Sequence, residues 1–170
     1  FLLDALNEIG LGPEDISDIF MTHLHPDHMG GAINENGSAI FANANLKLLQ
    51  EEHNYWTTKT FSSDEINGKD WSNLAKKVLS AYDQRLELLS NNADIISGVS
   101  IIPLPGHTPG HAGFRVDDGN ESMFHMGDII HVPKLQLKDP NICTLFDVDV
   151  ESALKSVSYT HLRAHETLSH

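Results

Sequence analysis

The sequence has one cysteine, few basic residues and no long apolar run, and each shortage narrows what it can be. Cys143 alone cannot build an internal disulfide framework or a cysteine-rich metal site. It leaves the redox compartment open. Lys plus Arg number 11 against 24 Asp plus Glu, a formal net charge of −13. That balance argues against general nucleic-acid binding and disfavours an anionic membrane surface. No apolar stretch approaches the ~20 residues of a membrane span. The chain opens on Phe1-Leu2-Leu3-Asp4-Ala5-Leu6 with no initiator methionine and no basic leader. It reads as an internal start, so cytoplasmic and exported locations both stay open.

What is present fits one compact α/β domain. The 170 residues are 40% hydrophobic and 21% charged, which marks a globular chain. Leu2, Leu3, Leu6 and Ile9 share a helical face, with Gly10 as the stop. Ile16 and Ile19 to Thr22 read as a short buried strand, and Ser38 to Ala42 as another. Asn45 to His53 reads as a helix, residues 54–70 as a loop, and Trp71 to Leu89 as one long helix. Ile95-Ile96, Val99 to Leu104, His111 to Val116 and Ser122 to Met126 read as strands, the last two joined at Asp117-Asp118-Gly119-Asn120. Asp149 is placed to cap a helix over Val150 to Ser156. Glu51-Glu52 and Asp117-Asp118 read as solvated carboxylates.

The 11 histidines carry the functional signal. Thr22-His23-Leu24-His25-Pro26-Asp27-His28-Met29-Gly30-Gly31 sets His23 and His25 two apart at a strand end, where both side chains leave one face. Asp27 and His28 follow in a turn. Imidazole suits zinc, iron or manganese, and a carboxylate adds hard-ligand character. His-x-His-x-Asp-His arises by chance in roughly four of a thousand chains of this composition, so composition alone is a poor account of it. A second element, Pro105-Gly106-His107-Thr108-Pro109-Gly110-His111, is built as a tight loop that holds His107 toward a metal, with His111 in a supporting role. A third, His125-Met126-Gly127-Asp128, presents Asp128 at a sheet edge, where a carboxylate can bridge two cations ~3.5–4 Å apart.

In this order the elements resemble the metallo-β-lactamase-fold hydrolase superfamily. Gly127-Asp128-Ile129-Ile130-His131-Val132, with Gln136, Asp139-Pro140, Phe146-Asp147 and Asp149, is most similar to the branch of methyl parathion hydrolase and quorum-quenching lactonases. The resemblance implies an αβ/βα sandwich, incomplete here over residues 1–156, lacking the first strands and the final helix and strand with their last histidine. It implies that His23, His25 and His107 hold one metal, Asp27 and His28 the other, and that Asp128 bridges. Two divalent ions are expected, Zn2+ first, with Fe or Mn as alternatives. A hydroxide shared by them would attack a lactone, ester or phosphotriester, with Asp27 orienting it. Trp56 and His131 are the expected substrate contacts. The partner is a small molecule, with no nucleic acid and no membrane, and nothing in the pattern selects an oligomeric state.

Residues 157–170 resemble a translated adapter fragment and are set apart as a non-native tail, so His161, His165 and His170 are not counted as ligands. The rival readings are a thioester hydrolase of glyoxalase II type and a non-catalytic fragment short of its last metal ligand. A diiron oxygen-reducing protein of this fold usually has Glu where His25 stands, and a nuclease is disfavoured by the charge. Weak or absent activity is expected of this stretch alone.

Overall fold

The computed structural model describes residues 2–65 and 67–166, so Phe1 and the end of the expected tail, 167–170, lie outside the described residues. The chain divides into two compact units, Phe1–Leu89 and Ser90–His170. Both mix strands with helices, as the α/β expectation requires.

The first unit begins with α1 (Leu2–Glu8), closed at Gly10, whose φ of +78° suits a glycine. Then come β1 (Asp18–Phe20), α2 (Pro26–Met29), β2 (Asn45–Leu49), α3 (Gln50–Thr58), α4 (Lys69–Ala81) and β3 (Leu86–Leu89). The three strands form a parallel sheet in the order β1-β2-β3. The core gathers Met21, Leu24, Met29, Leu46, Leu48, Trp56, Val78, Leu79 and Tyr82. Burying each large apolar side chain contributes about 1.5–3 kcal/mol. The Tyr82 hydroxyl donates to the Ala32 carbonyl at 2.8 Å and accepts the Phe41 N–H at 3.3 Å. It thereby ties down the segment that follows the histidine-rich run.

Four expectations are corrected here. Asn45–Leu49 is a strand, not a helix, and the helix starts only at Gln50 and runs on to Thr58 through what reads as loop. β2 is the central strand and Leu46 to Leu49 are all buried, so no inside–outside alternation is written into it. The long helix stops at Ala81, and a 3-10 turn at Asp83–Arg85 leads into β3. Leu86 and Leu89 prolong the helical spacing by coincidence. Ser38 to Ala42 makes no strand beyond one bridge, Ile33 to Ala39. The Asn34 side chain accepts the N–H groups of Asn36 and Ser38, and Gly37 at φ +81° tightens the turn. β1 ends at Phe20, two residues short of Thr22.

The second unit is a four-stranded antiparallel meander: β4 (Asp94–Ile96), β5 (Val99–Pro103), β6 (Ala112–Asp117) and β7 (Ser122–His125). The hairpin at Asp117 to Ser122 is as expected, with Gly119 at φ +93°. A 3-10 turn at Gly127–Ile129, α5 (Pro133–Gln136) and α6 (Val150–Glu166) follow. Asp149 caps α6 by accepting the Ser152 N–H and hydroxyl at 3.1 and 2.7 Å. The helix continues past Ser156, and Ala153 and Val157 pack with Leu104 and Ile129. Gly106 permits the close approach of α6: a Cβ there would sit 2.1 Å from the Ala153 nitrogen. Among the described residues no helix is long and apolar enough to cross a membrane.

Candidate metal centre

In the first unit the histidine-rich run turns from loop into α2. Pro26 occupies the first turn of that short helix, where its missing N–H costs nothing. His23 and His25 are buried, with ring centroids 4.6 Å apart, and the His28 ring on α2 lies 4.1 Å from His23. Three imidazoles thus meet within six residues of chain. His23 Nδ1 is 3.1 Å from the Thr22 hydroxyl. Asp27 is on the same turn, exposed, with its carboxylate 3.6 Å from His28 Nε2.

Trp56 is not at a surface. It has no exposure, stacks on Phe61 at 5.2 Å, and reaches the His25 ring edge-on at 5.9 Å. Trp56, expected as a substrate contact, packs instead against the His25 ring. Trp71 closes on the same ring at 5.1 Å.

In the second unit His107, Asp128 and His131 each place one ligand-capable atom within 4.8 Å of the others. The Pro-Gly loop leaves His107 with 1% of its side chain exposed. Its Nδ1 lies 3.0 Å from Asp147 Oδ1, and the Thr144 N–H donates to Asp147 Oδ2 at 2.8 Å. Burial pushes the Asp147 carboxyl up. The hydrogen bonds from His107 and Thr144 outweigh that and hold it below the usual carboxylate range. An ionised Asp147 only accepts, so His107 Nδ1 carries the proton and Nε2 carries the lone pair a metal needs.

Asp128 is set by His111. The His111 Nδ1–H donates to the Leu104 carbonyl at 2.9 Å, and Nε2 accepts the Asp128 N–H at 3.0 Å. Both ring nitrogens are engaged within the fold. Gly127, at φ +56°, makes room: a Cβ there would be 2.5 Å from His111 Nε2. His131 Nε2 lies 3.8 Å from Asp128 Oδ2, and its ring is 4.8 Å from His107 and 6.5 Å from Phe146. His125 stacks on Phe114 and accepts the Gly127 N–H. Sequence reasoning missed the Asp147 carboxylate behind His107 and the buried Glu52, which accepts the Leu24 N–H between His23 and His25. Asp147 was visible only as part of a motif, 40 residues from its partner.

Imidazole nitrogens with carboxylate oxygens fit zinc, iron or manganese, and the carboxylate behind His107 is the usual support for a metal-ligating ring. Fold and donor sets together define a mixed α/β protein equipped to bind divalent metal. The chain belongs to the metallo-β-lactamase superfamily, whose family model matches residues 1–161. An N-acyl homoserine lactonase of a Bacillus species is 27% identical over 116 residues, 68% of this chain and 39% of that protein. A probable metallo-hydrolase of Mycobacterium tuberculosis is 27% identical over 139 residues, 74% of this chain and 41% of that protein. The chain therefore spans about two fifths of the length of these relatives. Among solved structures, AidC, a dizinc quorum-quenching lactonase in complex with a homoserine product, superposes with a TM-score of 0.89 at 26% identity. That match covers 98% of this chain and 60% of AidC. The hydrolase AbOPH gives 0.80 at 28% identity, over 93% and 56%.

Proposed function

We propose that this chain carries the ligand set of a dinuclear metal hydrolase that opens lactones, with esters and phosphotriesters as further substrates. One observation carries the metal reading: the buried Asp147 carboxylate holds the His107 proton on Nδ1 and turns Nε2 into a donor. The lactone is favoured because relatives bear that activity in their names. His23, His25 and His107 are assigned to one ion, Asp27 and His28 to the second, and Asp128 to both. The order of the motifs along the chain supports that assignment. Bound metal would supply an electrophilic pole for the substrate oxygen and acidify a water.

The chain's own residues do the rest. Asp27, exposed beside His28, orients the attacking water and holds its proton. His111 and Gly127 fix the backbone of Asp128. His131, next to Asp128 and facing Phe146, is assigned to the substrate side. The test is zinc content per chain, with hydrolysis of a chromogenic lactone and a phosphotriester, in wild type, His23→Ala and Asp128→Ala. Both variants are expected to lose metal and any turnover. Stoichiometric zinc retained in both would contradict the assignment.

A further inference from the structure

Glu51 and Glu52 open α3 side by side, yet they meet different surroundings. Glu51 is exposed, as expected of a solvated pair, whereas Glu52 has no solvent exposure. Its Oε1 accepts two hydrogen bonds: the Leu24 N–H at 2.8 Å and the Trp56 indole N–H at 2.7 Å. Leu24 is the residue between His23 and His25, and its own side chain is locked in the core. A single carboxylate oxygen therefore pins the peptide that joins two donor rings. It also pins the indole that supports the second ring.

Taking a carboxylate out of water is costly, and a packed apolar residue would fill the same space at lower cost. The acid earns its place through what it accepts. An oxygen at this place takes two N–H donors that an apolar side chain of the same size would leave unpaired in the core. The anchor acts on the main chain, where a small rotation would swing both imidazoles at once.

We propose that Glu52 is a positioning residue of the metal site, which presets the spacing and direction of His23 and His25. This rests on the reading of those histidines as ligands. The test compares zinc affinity, by competition with a chromophoric chelator, in the full chain and two variants. Glu52→Met removes the acceptor while keeping the length of the side chain. Replacing Leu24 with its α-hydroxy acid turns the amide into an ester and removes the N–H donor while leaving every side chain in place. Circular dichroism establishes that each variant is folded, and cobalt absorption reports ligand geometry apart from any activity.

The expected result is a zinc affinity roughly 10- to 100-fold lower with an altered cobalt band, the range found when groups supporting a ligand are removed. If Glu52→Met does not fold, the ester decides alone. Folded variants that bind zinc within twofold of wild type, with an unchanged cobalt spectrum, overturn the proposal. His25→Ala is the control for the underlying reading. If it binds zinc as tightly as wild type, the histidines are not ligands and this inference goes with them.

Discussion

Asp147→Ala is the sharpest single perturbation of the second unit. The carboxylate is 4% exposed and accepts from the buried His107 Nδ1–H and the half-buried Thr144 N–H. Truncation strands both. An unsatisfied buried donor costs about 1–3 kcal/mol, and the half-buried Thr144 N–H, which water can reach, costs less, so the loss is about 3 kcal/mol. For a chain of this size each kcal/mol lowers Tm by about 2–4 °C, which gives a drop of about 6–12 °C. The loss should also reach the metal. Without its partner the His107 ring can rotate and change tautomer, and zinc affinity should fall by about 10- to 100-fold. Asp147→Asn keeps one acceptor oxygen and turns its NH2 toward the other donor, so it should recover little. Urea unfolding and chelator competition measure the two effects separately. An Ala variant within about 0.5 kcal/mol of wild type, the scatter of ordinary surface substitutions, and with unchanged zinc affinity would refute the reasoning.

Two further perturbations probe other layers. Gly127→Ala places a methyl 2.5 Å from His111 Nε2 at a φ of +56°, so the ring must move and release the Asp128 N–H. A loss of about 1–3 kcal/mol in urea unfolding is expected, and a variant as stable as wild type would show that the ring has another seat. On the first sheet Lys47 bonds Asp18 at 2.7 Å and lies 3.5 Å from Glu87. The Lys47 hydrogen bond, helped by Ser17, holds the Asp18 carboxyl below its ordinary value. Its stabilising effect is therefore full above the unfolded carboxylate pKa of about 3.9 and lost as pH falls through the lower folded value. The stability gap between wild type and Asp18→Asn should shrink between pH 5 and strong acid; a gap independent of pH would remove the ion pair from the account.

The sequence made some of this legible and hid the rest for identifiable reasons. The hairpin from Ala112 to His125 was readable because alternating strands and an Asp-Gly turn agree on one register. His23, His25, His28 and His107 could be named because a dense imidazole spacing and a Pro-Gly loop are local signals. β2 was misread because a strand buried on both faces carries no period of two, and its leucines and lysine favour helix equally. β3 was absorbed into α4 because leucines beyond the break happen to keep the helical step. The supporting partners lie beyond any window: Leu24 and Glu52 are 28 residues apart, and His107 and Asp147 are 40. Only folding brings such pairs together, and an acidic residue in sequence does not announce whether it will face water or a buried N–H.

The meander from β4 to β7 has a kinetic consequence. Each strand pairs with the next along the chain, so every closure is short and the entropy lost before the first native contacts is small. The parallel strands of the first sheet must instead wait for intervening helices, because β1 and β2 are separated by the whole histidine-rich turn. Low contact order favours rapid assembly. In refolding followed by hydrogen exchange, amides of Ile101 and Phe114 should gain protection before those of Leu46 and Leu48. The ribbon that leads to Asp128 would then be ordered while the His23–His25 loop is still a coil.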